Sequence, residues 1–101
     1  MEPPLSVDLS SEMADLFRGL ADTSRARIVH ALVHEDMTTS GLADLLGMNQ
    51  PAVSQHLRTL RMLRLVKPRR QGQFVVYSVD DEHIRLLVNL TLSHLLEGRA
   101  R

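Results

Sequence analysis

Cysteine is absent from this sequence. Disulfides, thiolate metal sites and thiol redox switches are therefore excluded. The chain also lacks any run of 18 apolar residues and any basic opening segment followed by an apolar one. Neither membrane insertion nor secretion is expected, and the expected compartment is the cytoplasm. Net charge is missing too, at +0 from 12 basic and 12 acidic residues. By itself that balance argues against a nucleic-acid partner. Internal repeats and low-complexity segments are absent. What is present, 44% hydrophobic and 24% charged residues, describes an ordinary soluble globular chain. Its 101 residues fit one domain with a modest core, to which a dimer interface would add burial.

The charge is unevenly distributed. Residues 1–50 carry eight acids and three bases, whereas between Leu45 and Val79 there is no acid and six bases: Arg58, Arg61, Arg64, Lys67, Arg69 and Arg70. A stretch of one sign inside a neutral chain makes a local positive surface able to meet phosphates.

Residues 1–7, with Pro3 and Pro4, read as a loose arm. Asp8 or Ser10 can cap a first helix to about Leu20, in which Leu9, Met13, Leu16, Phe17 and Leu20 recur at helical spacing. A second helix follows a cap within Ala21 to Ser24 and runs to about His34, burying Ile28, Val29, Leu32 and Val33. Its His30 and His34, four residues apart, read as surface residues in the absence of a third ligand. Residues 38–63 form a helix-turn-helix. Thr38 to Ser40 supply a cap, Gly47 closes the short first helix, and Asn49 caps the second with Pro51 in its first turn. Val53, Leu57 and Leu60 make the buried stripe of that second helix. Its opposite face presents Gln50, Ser54, Gln55 and Arg58, donors suited to base edges and phosphates. His56 stands at the boundary between the faces, and Met62 reads as packing.

Residues 65–79 then form a hairpin: a basic strand over Lys67 to Arg70, a turn at Gln71-Gly72, and a β-rich return over Phe74 to Val79. A basic hairpin directly after a recognition helix is a wing, with Arg69, Arg70, Gln71 and Gln73 as its phosphate or groove contacts. The fold class expected is mainly α with a small β-hairpin wing, a winged helix-turn-helix over residues 1–101.

Residues 80–97 read as a last helix carrying His83, Leu87, Leu90, His94 and Glu97 at spacings of 4, 3, 4 and 3, a seam facing a partner helix. At about 100° per residue His94 lies roughly 20° and Glu97 roughly 40° from His83 around the axis. Along the axis, however, His83 and His94 are about 16 Å apart, too far for one ion bound at about 2 Å. Two copies packed antiparallel about Asn89 and Leu90 would close the gap. Asp81 and His83 of one chain would then face His94 and Glu97 of the other, giving a homodimer with two four-ligand sites and Leu87 and Leu90 at the interface. Asp81 belongs at or before the helix start, where a cap turns its carboxylate toward His83. The alternative is that Asp80 or Asp81 is only a cap and both histidines are surface residues.

These stretches resemble the arsenic-repressor (ArsR/SmtB) family of winged-helix metal sensors, from about Phe17 to Glu97. GLADTSRARIVHAL is similar to the family's entry into its second helix, QPAVSQHLRTLRMLRLV to its recognition helix, and RRQGQFVVYSV to its wing. DDEHI through SHLLE matches the pattern Asp-x-His-x10-His-x2-Glu/His of members that bind metal across C-terminal helices. The resemblance implies a dimer that holds a palindromic operator when metal-free and releases it on binding metal. It also implies that Asp81 and His83 are ligands from one protomer and His94 and Glu97 from the other. The helix before recognition, SGLADLLG, lacks the cysteine pair of thiolate-sensing members, and the tails MEPPLSV and GRAR lack the extra histidines of six-ligand nickel or cobalt sensors.

Two imidazoles and two carboxylates suit tetrahedral Zn(II), two per dimer, with Co(II) as a close mimic. With no open position and no separate base, neither an enzyme nor an organic small-molecule substrate is expected. Two rival readings remain open: a regulator of the same fold that senses no metal, and a dimeric interaction module with no DNA role.

Overall fold

Residues 2–99 are described by the computed structural model. Met1 of the expected arm and Ala100 and Arg101 of the tail GRAR lie outside the described residues. The order is α1 (Val7–Leu20), α2 (Thr23–His34), α3 (Thr39–Leu46), α4 (Gln50–Met62), β1 (Val66–Gln71), β2 (Phe74–Val79) and α5 (Glu82–Arg99).

Each helix begins where a side-chain oxygen meets an otherwise unpaired N–H of the first turn. Ser6 accepts from Leu9 at 3.1 Å, Asp22 from Arg25 at 3.0 Å, Thr38 from Gly41 at 3.0 Å, Asn49 from Ala52 at 2.8 Å, and Asp81 from Ile84 at 3.2 Å. The first of these differs from expectation. Ser6, rather than Asp8 or Ser10, caps α1, so the arm ends before Val7. Asp8 instead places its charge in the first turn, and the Ser10 hydroxyl donates back to the Ser6 carbonyl at 2.8 Å. Both arrangements suit a helix that has already started.

Helix α3 stops at Gly47, whose φ of 67° is left-handed. Helix α4 stops differently. Arg64 takes φ 61°, its N–H bonding the Arg61 carbonyl at 3.0 Å while the N–H of Leu65 bonds the Leu60 carbonyl at 2.9 Å. That is a Schellman closure with arginine where glycine usually sits, and its hydrophobic contact is made by the fully buried Leu60 and Leu65. The wing pairs antiparallel from Val66 with Val79 to Gln71 with Phe74. Its turn is therefore Gly72-Gln73, one residue later than expected. The positive φ of 63° at Gly72, with none at Gln73, fits a two-residue type II′ loop. Met37 extends the hairpin by exchanging two backbone hydrogen bonds with Tyr77, at 3.1 and 2.8 Å.

The core gathers around α2. Ile28, Val29 and Leu32 are sealed by Leu42 of α3, Val53, Leu57 and Leu60 of α4, Leu65 and Val66 at the wing's entry, and Val79 and Ile84 at its exit. Each such side chain contributes about 1.5–3 kcal/mol by leaving water. Helix α1 approaches this core through Gly19, where an added Cβ would fall 2.7 Å from a Leu63 methyl and 2.9 Å from one of Leu65.

Two elements keep large apolar faces outside that core. On α1, Leu9, Met13 and Phe17 are about half exposed, and on α5, Leu86, Leu90, Leu95 and Leu96 are exposed. The Cα radius of gyration, 15.1 Å, exceeds the roughly 13 Å of a compact chain of 100 residues. Met62, expected to pack, is 77% exposed; it lies at a groove with Leu9 and Met13 of α1.

Candidate nucleic-acid interface and metal centre

Three residues, Gly47 to Asn49, separate α3 from α4. Because Val53, Leu57 and Leu60 are held in the core, the opposite side of α4 is turned to solvent, and Gln50, Ser54, Gln55 and Arg58 are all exposed on it. His56 is half-buried, close enough to Asp22 for its charge to favour the Asp22 carboxylate. On the wing, Arg70, Gln71 and Gln73 are exposed at and beside the turn.

Arg69 is exposed as well but has a partner that the sequence did not disclose. Its guanidinium meets the Asp36 carboxylate at 2.6 Å. Asp36 lies in the link between α2 and α3, 33 residues away, and Met37 beside it is the residue bridged to Tyr77. The wing is thus fastened to that link by one ion pair and two backbone hydrogen bonds.

Of the four expected metal ligands, Asp81 and His83 stand together. One Asp81 oxygen accepts the Ile84 N–H as the cap of α5, and the other lies 3.5 Å from His83 Nδ1. The Ile84 N–H chiefly, then His83, holds the Asp81 carboxyl below its usual range against some desolvation. A ligand carboxylate must be ionised, and this one is at neutral pH. The His83 side chain is 90% exposed.

His94 and Glu97 lie exposed in the last turns of α5, about three helical turns beyond His83. Among the described residues, no three His, Asp or Glu side chains converge as a metal site. Leu90, between the two pairs, is 72% exposed, and Leu87 is half-buried. Just after Asp81, the Arg85 guanidinium pairs with Glu82 at 3.1 Å and donates to the Val33 carbonyl, joining the start of α5 to the end of α2. Sequence spacing gave no signal for that joint.

The profile described as bacterial regulatory protein, arsR family, matches residues 22–67. The HTH-type transcriptional regulator KmtR of Mycobacterium tuberculosis is 41% identical over 85 residues, 84% of this chain and 65% of that protein. This chain therefore spans slightly less than two thirds of that relative. The transcriptional repressor SmtB homolog of Synechocystis is 41% identical over 94 residues, 93% of this chain and 71% of that protein. Among solved structures, a homodimeric winged helix-turn-helix DNA-binding domain of a possible ArsR-family regulator from Mycobacterium bovis superposes with a TM-score of 0.88. It is 25% identical, and the match covers 97% of this chain and 93% of that one.

Proposed function

We propose, because this chain belongs to the arsR family of bacterial regulatory proteins, that it is a homodimeric repressor which holds operator DNA and releases it on binding Zn(II). The family is one of transcriptional regulators and not of enzymes. In this reading α4 enters the major groove, with Gln50, Ser54, Gln55 and Arg58 toward bases and phosphates. Arg69, Arg70, Gln71 and Gln73 of the wing reach the adjacent backbone. The protein works in the cytoplasm, where its operator lies.

One observation carries the effector reading. Two ligand pairs of matched chemistry, Asp81 with His83 and His94 with Glu97, occupy opposite ends of a helix whose middle exposes Leu90. Antiparallel packing of two such helices covers the leucines and brings each pair against the other. Two sites per dimer result, each held by Asp81 and His83 of one protomer with His94 and Glu97 of the partner subunit. Two imidazoles and two carboxylates fit tetrahedral zinc, with cobalt as a mimic. These residues would hold and orient the ion, which when bound would supply a cross-link favouring one arrangement of the two subunits.

Zinc titration of operator affinity is the test, run beside the His83→Ala, His94→Ala variant. The wild type should lose about 10²-fold in affinity, a coupling of roughly 2.7 kcal/mol, and the variant should not respond. The second reading, a regulator that senses no metal, is favoured by the ordinary capping role of one Asp81 oxygen. Operator binding unchanged at saturating zinc would establish it.

A further inference from the structure

One turn apart on α2, His30 and His34 bring their Nε2 atoms to 3.2 Å, with ring centroids 4.7 Å apart and ring planes at 78°. Side chains four residues apart on a helix share a face, and paired histidines at this spacing are a known way for one helix to hold an ion. With metal–nitrogen bonds of about 2.0–2.1 Å, two nitrogens on one ion stand about 2.9 Å apart at a right angle and about 3.3 Å at the tetrahedral angle. The observed separation falls between these values. Rotation of the two rings would then aim both lone pairs at one point without moving the helix.

The surroundings suit a shallow site open on one side. His34 is exposed, and His30 is half-buried at the edge of a cleft of about 550 Å³ walled by Phe17, Leu87 and Leu92. The apolar wall, whose Leu87 also lies on the face proposed for the partner helix, lowers the local dielectric behind the imidazoles, and the exposed side of His34 leaves room for further ligands. Arg27 lines the same cleft. Its positive charge opposes a bare dication and favours one that carries an anion.

We propose that His30 and His34 form a second metal site, separate from the α5 set, for a first-row divalent cation whose remaining positions are held by water or an anion. Imidazole donors and open geometry place Cu²⁺ first, above Ni²⁺ and Zn²⁺. Two protein ligands make it weaker than a four-ligand site, so it fills only at higher metal. It does not depend on the zinc reading.

The probe is Cu²⁺, added to the full chain carrying His83→Ala and His94→Ala, so that only His30, His34 and His56 remain. Titration should give one Cu²⁺ per chain, with electron paramagnetic resonance showing two imidazole nitrogens. Adding the surface change His34→Gln should weaken binding at least tenfold and leave one nitrogen, with circular dichroism unchanged. Adding His56→Ala instead should change nothing. Copper uptake unaffected by His34→Gln, a single nitrogen in the parent, or no uptake at all would overturn the proposal.

Discussion

Arg64 holds φ 61° at the end of α4, a conformation that costs an L-residue about 1–2 kcal/mol. Glycine removes that cost but loses more freedom on folding. Arg64→Gly should therefore stabilise the fold by no more than about 1 kcal/mol, read as a rise in the urea midpoint at constant slope. Asp22 offers a pH-dependent case. The Arg25 N–H first, then the charges of Arg25 and His56 and the Ser24 N–H, hold its carboxyl below the ordinary 3.8 against some desolvation. A carboxyl with a lowered folded pKa adds stability above its ordinary value and loses it as pH falls through the folded one. Asp22→Ala should melt lower than the wild type at neutral pH, and the gap should close below about pH 3.8. A gap that did not narrow at all as the pH fell below that value would show that the charge of the carboxylate is not what stabilises α2.

Helix starts and stops were legible because their signals are local. Thr38, Asn49 and Gly47 act within a few residues of themselves, and Thr38→Ala should cost about 1 kcal/mol in denaturant unfolding. The α1 cap and the wing turn were each displaced because neighbouring residues of similar chemistry compete, Ser6 with Ser10 and Gln71 with Gln73. What the sequence could not disclose is the tie between Asp36 and Arg69, since pairing across 33 residues leaves no periodic trace. That tie bears on DNA. As an exposed ion pair it adds less than about 1 kcal/mol to stability, yet it occupies a guanidinium proposed for a phosphate. Asp36→Ala should leave the melting temperature nearly unchanged and tighten operator binding several-fold, with a salt slope steeper by about one. Unaltered affinity and slope would remove Arg69 from the interface.

For the whole molecule, the sequence pattern named four candidate ligands, and one chain brings Asp81 and His83 of them together. Asp81 and His83 meet because a cap and a first turn are local, whereas the proposed site would bring them to His94 and Glu97 only through a second copy. The exposed apolar faces of α1 and α5 suit the pairing that this proposal needs, since folding of one chain covers only part of them. Leu90 separates the two levels. It is 72% exposed in the single chain, so Leu90→Asp should change protomer stability by less than about 0.5 kcal/mol and leave circular dichroism intact. At the centre of an antiparallel α5 pair, the same change sets two carboxylates against each other away from water. Removing those charges from solvent costs several kcal/mol per ion. Sedimentation of Leu90→Asp should then give a folded monomer, and that monomer should bind zinc far more weakly than the wild type although all four ligands remain. A folded Leu90→Asp monomer that still takes up zinc at wild-type affinity would show that one chain closes the site, and the cross-subunit geometry would fall with it.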